Sequence, residues 1–134
     1  MLFRSYASKV SAHQEVRAFL LDLQRSFARD YNVIMDGRDI GTLVLPQADL
    51  KIFLTARAEV RAARRCADLE RRGEKTEFET VLKDIVERDA RDSNRAAAPL
   101  KQAEDAVLVD TSELSLDGSL EVLLHLAEER LAHE

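Results

Sequence analysis

The sequence predicts an α/β fold in which a parallel sheet is flanked by helices. Short apolar runs without alternation are typical of strands that are buried on both faces, as in a parallel sheet. Stretches with helical periodicity separate these runs, and the resulting order of elements is α, β, β, α, α, β, α. With 134 residues, the chain is expected to form a single domain over 1–134. Only three strands are recognisable, so either the sheet is minimal or another polypeptide segment supplies further strands.

The first half of the chain contains one predicted helix and two predicted strands. Residues 11–29 carry apolar side chains at helical spacing with charged residues between them. The apolar runs at 32–36 and 50–54 are predicted to be buried strands, and Gly37 and Gly41 close the first of them. The stripe that the helix is expected to bury consists of Val16, Phe19, Leu20, Leu23 and Phe27.

Two helices are predicted next. The first spans 58–72 and ends at Gly73, which suits the position after a helix that requires a left-handed backbone. Thr76 and Glu79 have the spacing of a capping box, which predicts the start of a second helix that ends near Ser93. The side chains that this second helix is expected to bury are Phe78, Val81, Leu82 and Ile85.

The last two predicted elements are a strand and a helix. The strand covers 106–109, and the helix starts near Ser115 or Ser119 and runs to about residue 132. The apolar stripe of this helix consists of Leu120, Leu123, Leu124, Ala127 and Leu131.

Composition excludes several classes of protein. The longest apolar runs hold about five residues, too few to cross a bilayer, and no basic segment followed by an apolar one opens the chain. A single cysteine, Cys66, excludes an internal disulfide framework and suits a reducing compartment, so a cytoplasmic protein is expected. The net charge is −5, and acidic residues balance the arginines, which argues against nucleic-acid binding through a basic surface.

The choice of basic residue carries more information than the net charge. The chain has 15 Arg and only 5 Lys. Arginine presents a planar fork of donors that matches carboxylate and phosphate, so the bias indicates specific anion contacts. A GC-rich genome would produce the same bias.

The segment from Asp36 to Thr42 is the sharpest local motif. It places two carboxylates, one guanidinium and two glycines directly after a predicted buried strand. In open α/β sheets ligands bind beyond the carboxyl ends of strands, so chemistry is expected here. An apolar strand that ends in Asp also resembles the position at which nucleotide-hydrolysing folds hold Mg²⁺, so Asp36 is a candidate for binding Mg²⁺ through water. The alternative interpretation is an ordinary Asp-Gly turn.

A second motif lies on the predicted helix that ends near Ser93. Arg88, Asp92 and Arg95 are spaced four and three residues apart and therefore share one helix face. Guanidinium groups so close together repel one another unless an anion joins them, and a phosphate would serve. The alternative is a solvated face with surface ion pairs. A further group on the preceding helix, which alone is best explained as a polar face, consists of Arg61, Arg64, Arg65, Arg71 and Arg72.

Several nucleotide and metal motifs are absent from the sequence. The glycines at 37, 41, 73 and 118 do not allow a P-loop, which requires two glycines five residues apart followed by Lys, nor a GxGxxG turn. One cysteine and three scattered histidines make a zinc site improbable.

Taken together, the motifs resemble those of bacterial cytidylate kinases. The stretches that carry the resemblance are ASKV from residue 7, EVR from residue 15, DGRDIGT from residue 36, LKIFLTA from residue 50 and ERDARDSNRAAAPL from residue 87. The resemblance implies the carboxyl-terminal two-thirds of a P-loop nucleoside-monophosphate kinase fold, with an Arg-rich lid over about 61–95. It further implies transfer of the γ-phosphoryl group of ATP to CMP or dCMP with Mg²⁺.

The same resemblance assigns roles to individual residues. It implies that Arg17 and Asp39 read cytosine and that Ser8 and Asp92 lie near the sugar. Arg38, Arg88 and Arg95 correspond to positions that hold phosphates and are the predicted catalytic residues, with Arg38 and Arg88 also in contact with the acceptor nucleotide. The predicted lid and ATP-binding residues are Arg64, Arg65 and Arg95.

The sequence also departs from the family in one respect. Members of the family begin with a strand and a P-loop, for which this sequence has no counterpart. Because the P-loop supplies much of the charge stabilisation in phosphoryl transfer, this chain by itself is expected to be impaired or inactive. Three alternatives remain: a pyrimidine-nucleotide-binding module without turnover, one half of a split kinase whose P-loop comes from a partner chain or through self-association, and an Arg-rich scaffold.

Overall fold

The computed structural model describes residues 13–94 and 99–132. Within them the elements are α1 (Gln14–Asp30), a five-residue π-helical turn (Ile40–Val44), β1 (Ile52–Thr55), α2 (Ala58–Arg71), α3 (Phe78–Ser93), β2 (Val107–Asp110) and α4 (Leu116–Leu131). All four predicted helices are confirmed within a few residues of their expected bounds. The predicted class, an α/β protein with a parallel sheet and flanking helices, is also confirmed.

The sheet consists of β1 and β2, which pair in parallel with Ile52 opposite Val107 and Thr55 opposite Asp110. Two of the three predicted strands are therefore confirmed. The prediction of a third strand at 32–36 is wrong, because this segment has no strand pairing in the described residues and exposes Val33 and Ile34 to solvent. Its apolar sequence favours a strand, but a strand forms only where a neighbour completes its hydrogen bonds.

Helices α2 and α3 form a hairpin with its own core. Ala62 and Leu69 of α2 pack with Val81 of α3, and the partly buried side chains of Cys66, Leu82 and Ile85 pack around them. Phe78, which was expected in this core, is instead exposed.

The connection between these two helices is set by a glycine. Gly73 has φ of 75°, and its amide donates to the carbonyl of Glu70 while the amide of Glu74 donates to that of Leu69. This pair of bonds is a Schellman motif, as predicted for a glycine after a helix. The predicted capping box is wrong, because α3 begins one residue later, at Phe78, and its N-cap Glu77 makes no side-chain capping bond.

Helices α1 and α4 carry apolar stripes that remain open. Neither helix has a fully buried residue, and Phe19 is 67% and Leu120 is 53% exposed. Burial of these two stripes was predicted from their spacing, and within the described residues it does not occur. The start of α4 is confirmed at Ser115, whose Oγ accepts from the amide of Gly118 at 3.0 Å. No helix in 13–94 or 99–132 is both long and apolar enough to cross a membrane.

Candidate functional site: an arginine and aspartate cluster between α1, α3 and the π-helical turn

The segment that follows the unpaired 32–36 run winds into the π-helical turn. The carbonyl of Asp39 accepts from the amides of Leu43 and Val44, and that of Ile40 accepts from Leu45. Such widened turns occur mostly as single turns and frequently at functional sites. Here the turn fixes the backbone of Asp39 and thereby the point from which its carboxylate projects.

Helix α1 holds the far end of this turn through Arg25. Its Nη2 donates to the carbonyl of Leu43 at 2.9 Å, and its Nε donates to that of Val44 at 3.1 Å. One guanidinium therefore satisfies two carbonyls at the end of the turn, which have no partner further along it. Sequence reasoning missed Arg25 because no local motif marks a side chain that bonds only to backbone.

Helix α1 also brings a second arginine to the start of the turn. Nη2 of Arg17 lies 4.0 Å from Oδ2 of Asp39, and both side chains are partly exposed. The two residues to which the sequence assigned reading of the base are thus neighbours. At this contact the guanidinium offers donors and the carboxylate offers acceptors.

The adjacent residue, Arg38, reaches α3. Its Nε lies 2.7 Å from Oδ2 of Asp92, and Nε of Arg88 lies 3.8 Å from the same oxygen. The side chain of Asp92 is only 6% exposed, whereas Arg88 is largely exposed. A buried carboxylate requires compensating charge, which the guanidinium of Arg38 provides at close range.

The arrangement of these charges favours an anion as ligand. Two guanidiniums, those of Arg38 and Arg88, lie within 4 Å of the Asp92 carboxylate. The exposed Arg88 keeps donors available to solvent beside it. Arginine forks match phosphate oxygens, so this corner is suited to a phosphate group.

Two further arginines of the predicted lid, Arg61 and Arg64, bond within the chain. Arg61 pairs with Asp89 at 2.5 Å between Nη2 and Oδ2, and this hydrogen bond raises the pKa of the Arg61 guanidinium. Arg64 donates to Oγ1 and the carbonyl of Thr111 and to the carbonyl of Leu114. Arg65 is half-buried on α2. The observed bonds of Arg61 and Arg64 therefore tie α2 to α3 and to the segment after β2.

Polar residues also meet at the carboxyl ends of the two strands. The hydroxyl of Ser112 donates to Asp110 at 2.5 Å and accepts from the amide of Arg57, the N-cap residue of α2, at 2.8 Å. The hydroxyl and amide of Ser112 together hold the pKa of Asp110 below its ordinary value. Sequence analysis did not single out this junction, which joins β2 to the start of α2.

The other predicted site residues are distributed as follows. Asp36 is exposed, and the described residues contain no group of three or more His, Cys, Asp or Glu side chains suited to a metal ion. A single carboxylate is compatible with Mg²⁺ only where phosphate oxygens and water complete the coordination. Ser8 and Arg95 lie outside the described residues.

Comparison with known proteins identifies relatives of the chain. A family model described as cytidylate kinase matches residues 3–129. Over 123 residues the chain is 53% identical to a cytidylate kinase of Methylocella silvestris, covering 91% of this chain and 57% of that protein. It is 50% identical to one of Rhodopseudomonas palustris over 91% of this chain and 58% of that protein. It is 46% identical to one of Clostridium botulinum over 93% and 58%, respectively. The chain thus spans little more than half the length of these relatives.

Proposed function

The chain belongs to the cytidylate kinase family, and from that premise we propose that it serves phosphoryl transfer from ATP to CMP or dCMP by binding the acceptor nucleotide. The observation that carries the proposal is the pair of ion contacts Arg17–Asp39 and Arg38–Asp92, which begin at adjacent residues of one turn. One pair offers groups for a base and the other offers groups for a phosphate, so a mononucleotide can bridge them.

The base end of the proposed site is formed by Arg17 and Asp39. The carboxylate of Asp39 accepts from the exocyclic amine of cytosine, a donor that uracil lacks. Arg17, 4.0 Å away, offers donors to the carbonyl and ring nitrogen of the base. The carboxylate of Asp39 therefore binds cytosine through one hydrogen bond that uracil cannot make, and this difference discriminates between the two pyrimidines.

The phosphate end is formed by Arg38 and Arg88, and by Arg95 at the matching family position. Asp92 orients Arg38 through the 2.7 Å contact, and with Ser8 it is proposed to lie near the sugar. Arg64 and Arg65 are proposed to act with Arg95 toward ATP as parts of a lid over 61–95. Mg²⁺ would enter with ATP, held by phosphate oxygens and by Asp36 through water.

Binding tests this proposal directly. Calorimetric titration of the 134-residue chain is expected to show CMP binding at least about tenfold tighter than UMP, because the site pairs with the cytosine amine. Asp39→Ala is expected to remove most of this preference for CMP, and Arg38→Ala is expected to weaken the binding of both nucleotides. Arg29→Ala is the matched control, because Arg29 pairs only with its exposed neighbour Asp30 in the observed contacts. Equal affinity of the unaltered chain for CMP and UMP would overturn the proposal.

Turnover by the 134-residue chain alone is proposed to be impaired. Its sequence contains no P-loop, whose amides and lysine stabilise the β- and γ-phosphates. A coupled assay of ADP release is expected to give CMP-dependent turnover at least about a hundredfold below that of a full-length relative, the scale of losing oxyanion-type donors. Ordinary turnover by the isolated chain would refute this part of the proposal.

A second candidate function is that of one half of a split kinase. The open apolar stripes of α1 and α4 and the unpaired segment 32–36 favour it, because such surfaces are normally covered. Adding a polypeptide that corresponds to the part of the Methylocella silvestris relative left unmatched here is expected to restore CMP-dependent turnover. A chain that binds CMP but gains no turnover from this addition would instead be a binding module.

A further inference from the structure

Lys51, the residue before β1, lies in an unusual position for a lysine. Its Nζ donates to the carbonyl of Pro46 at 2.6 Å and to both carboxylate oxygens of Asp105 at 2.7 and 2.9 Å. Pro46 follows the π-helical turn, and Asp105 precedes β2. A single ammonium group therefore joins the end of the site segment to the entry of the second strand.

The burial of this side chain distinguishes it from an ordinary surface ion pair. Lys51 is 7% exposed, whereas its partner Asp105 is 63% exposed. A lysine is rarely buried unless its charge is paired. The hydrogen bond from Lys51 holds the pKa of Asp105 below its ordinary value, so the carboxylate remains charged beside the ammonium.

The aliphatic stem of Lys51 lies against the turn itself. A Cβ added to Gly41 would lie 3.4 Å from Cδ and 3.6 Å from Cγ of Lys51, which is van der Waals contact with the stem. Gly41 follows Asp39 by two residues. The stem thus packs against the backbone beside the proposed base-reading carboxylate, while the ammonium holds the segment's end.

Helix α1 holds the same turn through Arg25, which bonds to Leu43 and Val44. The turn is consequently held both by α1 and by Lys51. We infer that Lys51 is a positioning residue of the nucleotide site: by packing on Gly41 and bonding to Pro46 and Asp105, it fixes the π-helical turn so that Asp39 meets the base. This inference rests on the proposed function.

Three variants of the full 134-residue chain test this inference. Lys51→Met keeps most of the stem and removes the three hydrogen bonds. Lys51→Arg keeps the charge and the donors. Lys83→Met is the matched control, because Lys83 is exposed on α3 and its nearest observed partner is Glu87 at 3.9 Å.

The first measurement is hydrogen exchange of the ligand-free protein. Lys51→Met is expected to speed exchange at the amides of Leu43 and Val44 by about tenfold, because the turn opens locally more often. Exchange at the amide of Asn94, which bonds to Ala90 at the end of α3, is expected to stay unchanged. A uniform acceleration across both regions, or none in the turn, would overturn the inference, since a merely stabilising residue acts on the whole molecule.

The second measurement is CMP affinity at a temperature at which every variant is folded. Lys51→Met is expected to weaken the binding of CMP by about tenfold and that of UMP by less, because the displaced carboxylate of Asp39 no longer meets the amine of cytosine. Lys51→Arg should recover more than half of this loss, and Lys83→Met should lose nothing. If the unaltered chain prefers CMP and Lys51→Met keeps both its affinity and its preference, the inference fails alone. If the unaltered chain shows no preference for CMP, the proposed function fails and this inference fails with it.

Discussion

Helices α2 and α3 bury their apolar stripes against each other, whereas α1 and α4 carry stripes of similar spacing that lie open. In the hairpin, Ala62 is completely buried and Leu69 is 9% exposed, and the Arg61–Asp89 pair joins the two helices at their polar margin. On α1, Phe19 and Phe27 are more than a third exposed, and on α4 the same holds for Leu120 and Leu124. The hairpin thus buries apolar side chains of its own two helices against each other, whereas α1 and α4 leave theirs largely exposed.

This difference separates two properties that hydrophobic periodicity alone does not distinguish. A 3.6-residue period shows which face of a helix avoids water, but only the neighbouring elements decide whether that face is covered. For α2 and α3 the neighbour is the next helix in sequence, joined by a tight Schellman turn at Gly73. For α1, α4 and the run at 32–36, the described residues supply no such neighbour.

The largest expected effect comes from truncating one leucine in each region. Leu69→Ala is expected to lower the free energy of unfolding by about 2–3 kcal/mol, because it leaves a cavity in the hairpin core. Leu120→Ala is expected to change it by less than about 0.5 kcal/mol, because its side chain is half exposed. Urea titrations monitored by circular dichroism provide both values. A cost for Leu120→Ala similar to that for Leu69→Ala would mean that a second copy of the chain covers α4 in solution, and the cost would then depend on protein concentration.

The accuracy of the sequence predictions follows the same division. Where local rules suffice, as for Gly73 after α2 and Ser115 before α4, the structure agrees. The strands near 50–54 and 106–109 are confirmed because each is the pairing partner of the other. The strand at 32–36 failed because strand formation depends on a partner at long range. The capping box failed because α3 starts one residue after the position at which Thr76 would cap it.

The site was predictable where a motif brought charges together within the sequence. The spacing of Arg88 and Asp92 placed them on one face of α3, and DGRD placed Arg38 beside Asp39. The contacts made by Arg25 and Lys51 were not predictable. Arg25 bonds to backbone carbonyls, which no residue type reveals, and Lys51 bonds to the carbonyl of Pro46 and to Asp105, which lies 54 residues away in the sequence. The roles assigned to the site residues stay predictions until nucleotide binding is measured.

The second prediction concerns the contact that joins the hairpin to the open region, between Arg38 and Asp92. Arg38→Ala is expected to lower the free energy of unfolding by about 1–2 kcal/mol, because the buried Asp92 loses the guanidinium that lies 2.7 Å from its Oδ2. Arg88→Ala is expected to cost less than about 0.5 kcal/mol, because Arg88 is exposed and 3.8 Å away. Thermal unfolding of both variants without nucleotide provides the comparison. Equal costs would mean that the two regions are not joined through this carboxylate.

The smallest expected effect lies at a further contact between the hairpin and the rest of the described chain, where Asp110 and Ser112 join β2 to the start of α2. Hydrogen bonds from the hydroxyl and amide of Ser112 hold the pKa of Asp110 below that of an unfolded chain. A carboxyl with a lowered pKa contributes stability that is fully present above its unfolded pKa, about 3.9, and is lost as the pH falls through the folded value. Asp110→Asn is therefore expected to flatten the loss of stability between about pH 5 and pH 3 in urea titrations, because it lowers stability at pH 7 by the same small amount that acid removes from the unaltered chain. The effect is small because the amide oxygen of Asn still accepts from Ser112. Ser112→Ala also removes the hydroxyl that accepts from the amide of Arg57. It is therefore expected to reduce the same loss of stability at acid pH and to lower stability slightly at pH 7. If Asp110→Asn and the unaltered chain lose equal stability over this range, the sheet and the hairpin are not joined by this carboxylate, and the bonds from Arg64 to Thr111 and Leu114 are the contacts that join them.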